Sequence, residues 1–150
     1  MKRALAVVTQ DERSKHVVRE AGELAAGVGS ELLLLTVIPE EEYERKREAM
    51  EDAGSTTPYT VSQAEQSARR QAHTVAAEVL DDVDVEYELL GAVGREASII
   101  LNVAEEEDVD HIFMAGRRRS PTQKAVFGDL TQRVLLNFEG TVTVHLTDEE

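Results

Sequence analysis

Two short apolar runs separated by a single amphipathic segment constrain this chain more than any other feature. Ala4 to Val8 is continuously apolar, and Glu31-Leu32-Leu33-Leu34-Leu35-Thr36-Val37-Ile38-Pro39 is a second such run, too short for a buried helix and closed by proline. Between them Val17, Val18, Ala21, Leu24, Ala25 and Val28 recur at steps of three and four residues, with Gly27 and Gly29 as stop signals and Asp11 or Ser14 as the start cap. A strand buried on both faces, a helix, and another such strand make a right-handed βαβ unit.

The pattern continues. Glu40 to Asp52 is strongly charged and Gly54 to Pro58 is rich in turn formers, which predicts a solvated connection with at most a short helical turn. Val61, Ala64, Ala68, Ala72, Val75, Ala76, Val79 and Leu80 mark a long helix with a stripe of small residues that allows close approach to a sheet. Val83, Val85, Tyr87 and Leu89 alternate with acids, which predicts a half-exposed strand whose charges protect a sheet edge, and Gly91-Ala92-Val93-Gly94 reads as a loop. Ala97 to Ala104 predicts a helix ending in four acids, an arrangement the helix dipole disfavours. His111 to Gly116, Val126 to Asn137 and Thr141 to Leu146 complete the chain as strand, helix and strand. The alternation βαβαβαβαβ predicts one domain, residues 1–150, of parallel α/β class.

Charge narrows the partners. Thirty acidic against sixteen basic residues give a net charge of −14, which repels nucleic acid and anionic membranes, so any anionic ligand needs a local basic patch. The acid excess suits a protein from a salt-rich cell; an acidic mesophilic protein is the alternative. Without cysteine, disulfides and thiolate metal sites are excluded. The N-terminus lacks a signal-peptide core and no apolar stretch approaches the roughly 20 residues of a membrane span, so a cytoplasmic location is expected.

One basic patch exists. Ile112-Phe113-Met114-Ala115-Gly116-Arg117-Arg118-Arg119-Ser120-Pro121, followed by Gly128-Asp129-Leu130-Thr131, places three arginines between a buried strand and a helix entrance. Free N–H groups at a helix N-terminus together with guanidinium groups can cradle phosphate; a solvated turn is the plainer reading of the same spacing. Ligands of open α/β sheets bind at the carboxyl ends of strands, where Thr9 to Arg13 and Gly116 to Ser120 would meet. His16, His73, His111 and His145 show no metal-binding spacing, and neither a GxSxG elbow nor a GxxxxGK[ST] loop is present, so neither a metal nor catalysis is expected. A phosphatase or nucleotidase would lack both a nucleophile and a metal cluster.

The element order, the Thr36-Val37-Ile38 strand end, the charged segment after it, Gly94-Arg95-Glu96-Ala97-Ser98-Ile99-Ile100 and the stretch from Ala115 to Leu135 together resemble the universal stress protein family over essentially all 150 residues. The resemblance implies a three-layer α/β sandwich with a five-stranded parallel sheet in the order 3-2-1-4-5, helices on both faces, and a homodimer formed through the last strand, Thr141 to Leu146. Many members bind ATP through a glycine, two residues, a second glycine, nine residues, and a glycine followed by Ser or Thr. Laid on this chain from Gly128, the pattern puts Ala115 and Arg118 where glycines are expected and Asp129 in place of Ser or Thr, with Gly116 shifted by one. Thr9 or Asp11 would stand for the family's aspartate after the first strand, and Val37 for an apolar residue lining the adenine pocket. The expectation is a stress-type regulatory or protective dimer with a degenerate nucleotide site. The alternative is a module for ATP, AMP or another anionic metabolite, held by Arg117, Arg118 and Arg119 beside Gly128, Asp129 and Leu130.

Overall fold

In the computed structural model, residues 1–118 and 128–148 are described. They form β1 (Arg3–Val7), α1 (Glu12–Val28), β2 (Glu31–Pro39), α2 (Glu40–Asp52), α3 (Val61–Val79), β3 (Tyr87–Gly94), α4 (Glu96–Glu106), β4 (His111–Arg118), α5 (Asp129–Asn137) and β5 (Thr141–Asp148). All neighbouring strands pair in parallel, in the order β3-β2-β1-β4-β5.

Strand alternation divides the core into two layers. Ala4, Ala6, Leu32, Leu34 and Phe113 meet α1 and α3 through Val17, Val18, Ala21, Ala72 and Ala76. Leu5, Val7, Leu33, Leu35, Ile112 and Met114 meet α4 and α5 through Ile100, Ala104 and Val134. The result is a sheet with helices on both faces, which burial of continuous apolar strands requires. The switch point of the winding lies between β1 and β4, whose carboxyl ends open on the same edge of the sheet.

Asp11 caps α1 by accepting from the Arg13 amide, and Gly29, at φ 71°, closes it, so Gly27 lies within the helix. Ser14 instead accepts from the Thr9 amide at 2.8 Å, tying the end of β1 to the helix start. The acidic end of α4 has a specific compensation: Arg3 donates to Glu107 at 2.9 Å, while its other branch pairs with Glu31.

Two expectations are corrected. Residues 40–52 form a helix of 13 residues rather than a solvated connection. Its Glu, Arg, Lys, Met and Ala content is strongly helix-forming, acids occupy its first turn, and Arg47 bridges Glu44 at 2.6 Å and Glu51 at 3.3 Å along one face. The chain is thus βαβααβαβαβ. The third strand also begins later than its alternation suggests. Val83 and Val85 pack against the core from turns, and Gly91 to Gly94, expected as a loop, pair with Thr36 to Pro39 of β2. Its place at the sheet edge agrees with the exposed Glu88, its one acid.

Candidate functional site

Two adjoining cavities open at the carboxyl edge of the sheet. One, of about 190 Å³, lies beyond β1 and β2 and is lined by Thr9, Gln10, Thr36, Val37, Glu42, Gln71 and Glu96 among others. The other, of about 430 Å³, lies where the N-termini of α2, α4 and α5 converge, and is lined by Glu40, Glu41, Arg95, Glu96, Asp129, Leu130 and Arg133 with the backbone around them. Pro39 and Glu96 belong to both.

Thr9 and Val37 therefore share a cavity, and Asp129 and Leu130 share its neighbour. Asp11 lines neither, because its carboxylate is spent on the turn: Oδ1 accepts from the Thr9 hydroxyl at 3.2 Å and the Arg13 amide at 3.1 Å, and Oδ2 meets the Arg13 guanidinium at 2.5 Å. Burial pushes the Asp11 carboxyl up, but its bonds to Arg13 and Thr9 outweigh that and hold it below the ordinary aspartate range.

Arg117 and Arg118, expected in a loop after a strand ending at Gly116, belong instead to β4, whose residues Ala115 to Arg118 are in register with His145 to Asp148 of β5. Ala115 packs into the core facing α1. Gly116 is buried, and a Cβ there would lie 2.7 Å from Val144 Cγ1 and 3.2 Å from Thr131 Oγ1. Close packing of α5 and β5 on the strand thus accounts for the glycine without a ligand. Successive strand residues face opposite sides, so Arg117 projects away from α5, exposed and without an ion pair among the described residues. Nothing is described of the Arg118 side chain, and Arg119 lies outside the described residues.

Gly128, rather than Asp129, is the cap residue of α5; it makes no side-chain bond, and a Cβ there would meet nothing within 4 Å among the described residues. Asp129 is the first helical residue, exposed, with its carboxylate 3.3 Å from Arg133 Nε.

The sequence reading missed Glu41, Glu96, Arg95, Thr36 and Gln71. Thr36 is the one polar residue inside the β2 apolar run, and its buried hydroxyl has no hydrogen-bond partner among the described residues. Glu96 opens α4 and sits between both cavities. Burial pushes its carboxyl up, and the nearby Glu42 and Glu41 carboxylates push it further. A raised folded-state value costs nothing while the group is protonated in both states; the cost grows as pH rises past the value of the unfolded chain, which then ionises first, and is complete once pH exceeds the folded value. Glu96→Gln is therefore expected to unfold at a higher temperature than the wild type at pH 7, with the gain vanishing below about pH 4, where glutamates are protonated even in the unfolded chain. Equal midpoints at both pH values in paired thermal melts would count against this electrostatic reading.

Chemically, the larger cavity offers four carboxylates against two guanidinium groups. The three converging helices each carry acid in the first turn, Glu40 to Glu42 in α2, Glu96 in α4 and Asp129 in α5, so the positive ends of their dipoles are already met by the chain's own charges. No cluster of three or more His, Asp or Glu suited to a metal occurs among the described residues, and no described helix is long and apolar enough to cross a membrane.

A family profile described as the Universal stress protein family matches residues 1–145. The chain belongs to that family. No curated protein matches it in sequence. Among solved structures, a universal stress protein from Archaeoglobus fulgidus is 24% identical at a TM-score of 0.62, over 96% of this chain and 97% of that one. A universal stress protein in complex with cAMP is 15% identical at a TM-score of 0.62, covering 97% and 96%. The Archaeoglobus fulgidus universal stress protein in complex with dAMP is 19% identical at 0.58, covering 96% of each chain. At these identities the likeness establishes a universal stress protein fold, with the sheet order that the sequence resemblance implied.

Proposed function

We propose that this universal stress protein is a dimeric regulatory or protective module of the cytoplasm, without catalysis, whose nucleotide site is degenerate. The observation that carries this reading is the acidic carboxyl edge. Where a polyphosphate would need free amides and an excess of cations, Glu41, Glu96 and Asp129 already occupy the helix N-termini, and of the two guanidinium groups Arg133 is engaged by Asp129, which leaves Arg95 alone without a carboxylate among the described residues. Arg118 and Asp129 at the positions of a motif glycine and hydroxyl support the same reading.

A second reading keeps a ligand. The fold is shared with proteins solved with cAMP and dAMP, and Arg117 is a cation without an ion pair among the described residues. A monophosphate of adenine, or another small anion, demands less of the acidic edge than ATP does.

The proposed dimer forms through β5. It is the last strand of the sheet, and Leu146 on it and Leu136 on α5 are 43% and 82% exposed. Native mass spectrometry of protein purified without added nucleotide tests dimer and site together. The expected species is a dimer of two 150-residue chains with no added mass; a monomer would remove the interface, and a stoichiometric adenine nucleotide would remove the degenerate site.

A further inference from the structure

We propose that the groove between α2 and α3 is a second ligand site, which takes a small organic phosphate. The groove, of about 360 Å³, shares no lining residue with the cavities of the carboxyl edge. Its walls are Lys46 and Met50 of α2 and Gln63, Gln66, Ser67 and Arg70 of α3, and Tyr59 is its floor. It has no carboxylate, in a chain where 30 of 150 residues are acidic.

Neither of its cations holds a carboxylate among the described residues. Arg19, Arg47 and Lys15 each hold two carboxylates, yet Lys46 and Arg70 form no ion pair among the described residues. Glu42 stands one turn before Lys46, at a spacing that favours pairing. The Lys46 ammonium lies instead 4.8 Å from the centre of the Tyr59 ring, which directs it over the groove. Around Arg70, the residues one turn away on α3 are Gln66, Ser67, His73 and Thr74, none of them acidic.

The floor is fixed. Tyr59 is 8% exposed and stacks on Tyr43 at 5.5 Å, and the Tyr43 hydroxyl donates to the Tyr59 carbonyl at 3.0 Å. Gln63 is fixed as well, since its side-chain oxygen accepts from the Thr60 amide at 3.1 Å, leaving its amino group as the free end. A guanidinium fork, an ammonium, a hydroxyl and amide N–H groups present donors to one space, the set that suits a phosphate dianion. The groove exceeds what a bare oxyanion fills, and Met50 and Tyr59 give the excess an apolar wall, which selects a phosphomonoester with a carbon body.

Calorimetry at low salt with phenyl phosphate, inorganic phosphate and phenol, read alongside amide chemical shifts, tests this. Phenyl phosphate is expected to bind saturably, more tightly than inorganic phosphate, with phenol silent and the shifts centred on Gln63, Ser67 and Arg70. Both cations are exposed, so Arg70→Gln and Lys46→Gln leave folding intact. Arg70→Gln should weaken binding by about tenfold or more, the loss of a charge-assisted hydrogen bond, and raised salt should weaken it in the wild type. No saturable binding, unchanged affinity in both variants, or shifts confined to residues around Arg117 and Gly128 would overturn the proposal.

Discussion

Gly91→Ala is expected to destabilise the fold by about 3 kcal/mol, the upper end of the usual cost of overpacking. Denaturation in urea reads this directly, and the thermal midpoint should fall by roughly 6–12 °C for a chain of this size. The cause is backbone against backbone. A Cβ on Gly91 would lie 2.2 Å from the Glu65 carbonyl oxygen, 2.7 Å from the Arg69 amide nitrogen and 3.0 Å from Ala68 Cβ. No side chain can swing aside to relieve those contacts, so α3 must move off β3. That movement would also loosen Ala64, Ala68, Ala72 and Ala76, the buried stripe that lets α3 lie close to the sheet. A loss below about 0.5 kcal/mol, the level of an ordinary surface substitution, would show that the helix has room to spare.

Gly91 also shows why the third strand was misplaced in the sequence. A glycine followed three residues later by another reads as a loop, and the acid alternation from Val83 to Leu89 reads as the strand before it. The reason for Gly91 is the turn of α3 from Glu65 to Arg69, more than twenty residues earlier in the chain, which no local pattern reveals. The strands β1, β2, β4 and β5 were legible because burial on both faces, or β-branched composition, leaves an unbroken signature. Helix α2 was not, because none of its residues is fully buried and it therefore lacks an apolar stripe; its stability rests on propensity, end charges, the Arg47 pairs and the partial packing of Tyr43 and Met50 against Ile38 and Tyr59. At the site, Thr9, Val37, Asp129 and Leu130 could be named from position. The three converging helix starts could not, since Glu41, Glu96 and Asp129 are more than thirty residues apart from one another and meet only through the sheet order.

The acidic edge makes a second large prediction. Replacing Glu96 by Gln and Asp129 by Ser together removes two negative charges from the wall of the larger cavity and frees two helix N-termini. With each like charge costing on the order of 1 kcal/mol toward a bound phosphate at this half-exposed position, ATP affinity should rise by roughly tenfold or more in the double variant. Asp129→Ser also restores the hydroxyl that the nucleotide motif carries after its last glycine. Each substitution alone should give a smaller gain, and unchanged affinity in the double variant would mean that the carboxylates are not what excludes the phosphates.

The wild-type protein answers the central question most directly. Calorimetric titration with ATP and magnesium is predicted to show no saturable binding up to about 1 mM, which corresponds to a binding free energy weaker than about −4 kcal/mol. A stoichiometric isotherm in the low micromolar range, lost in Gly128→Val, would contradict the degenerate site and return the acidic edge to a working nucleotide pocket.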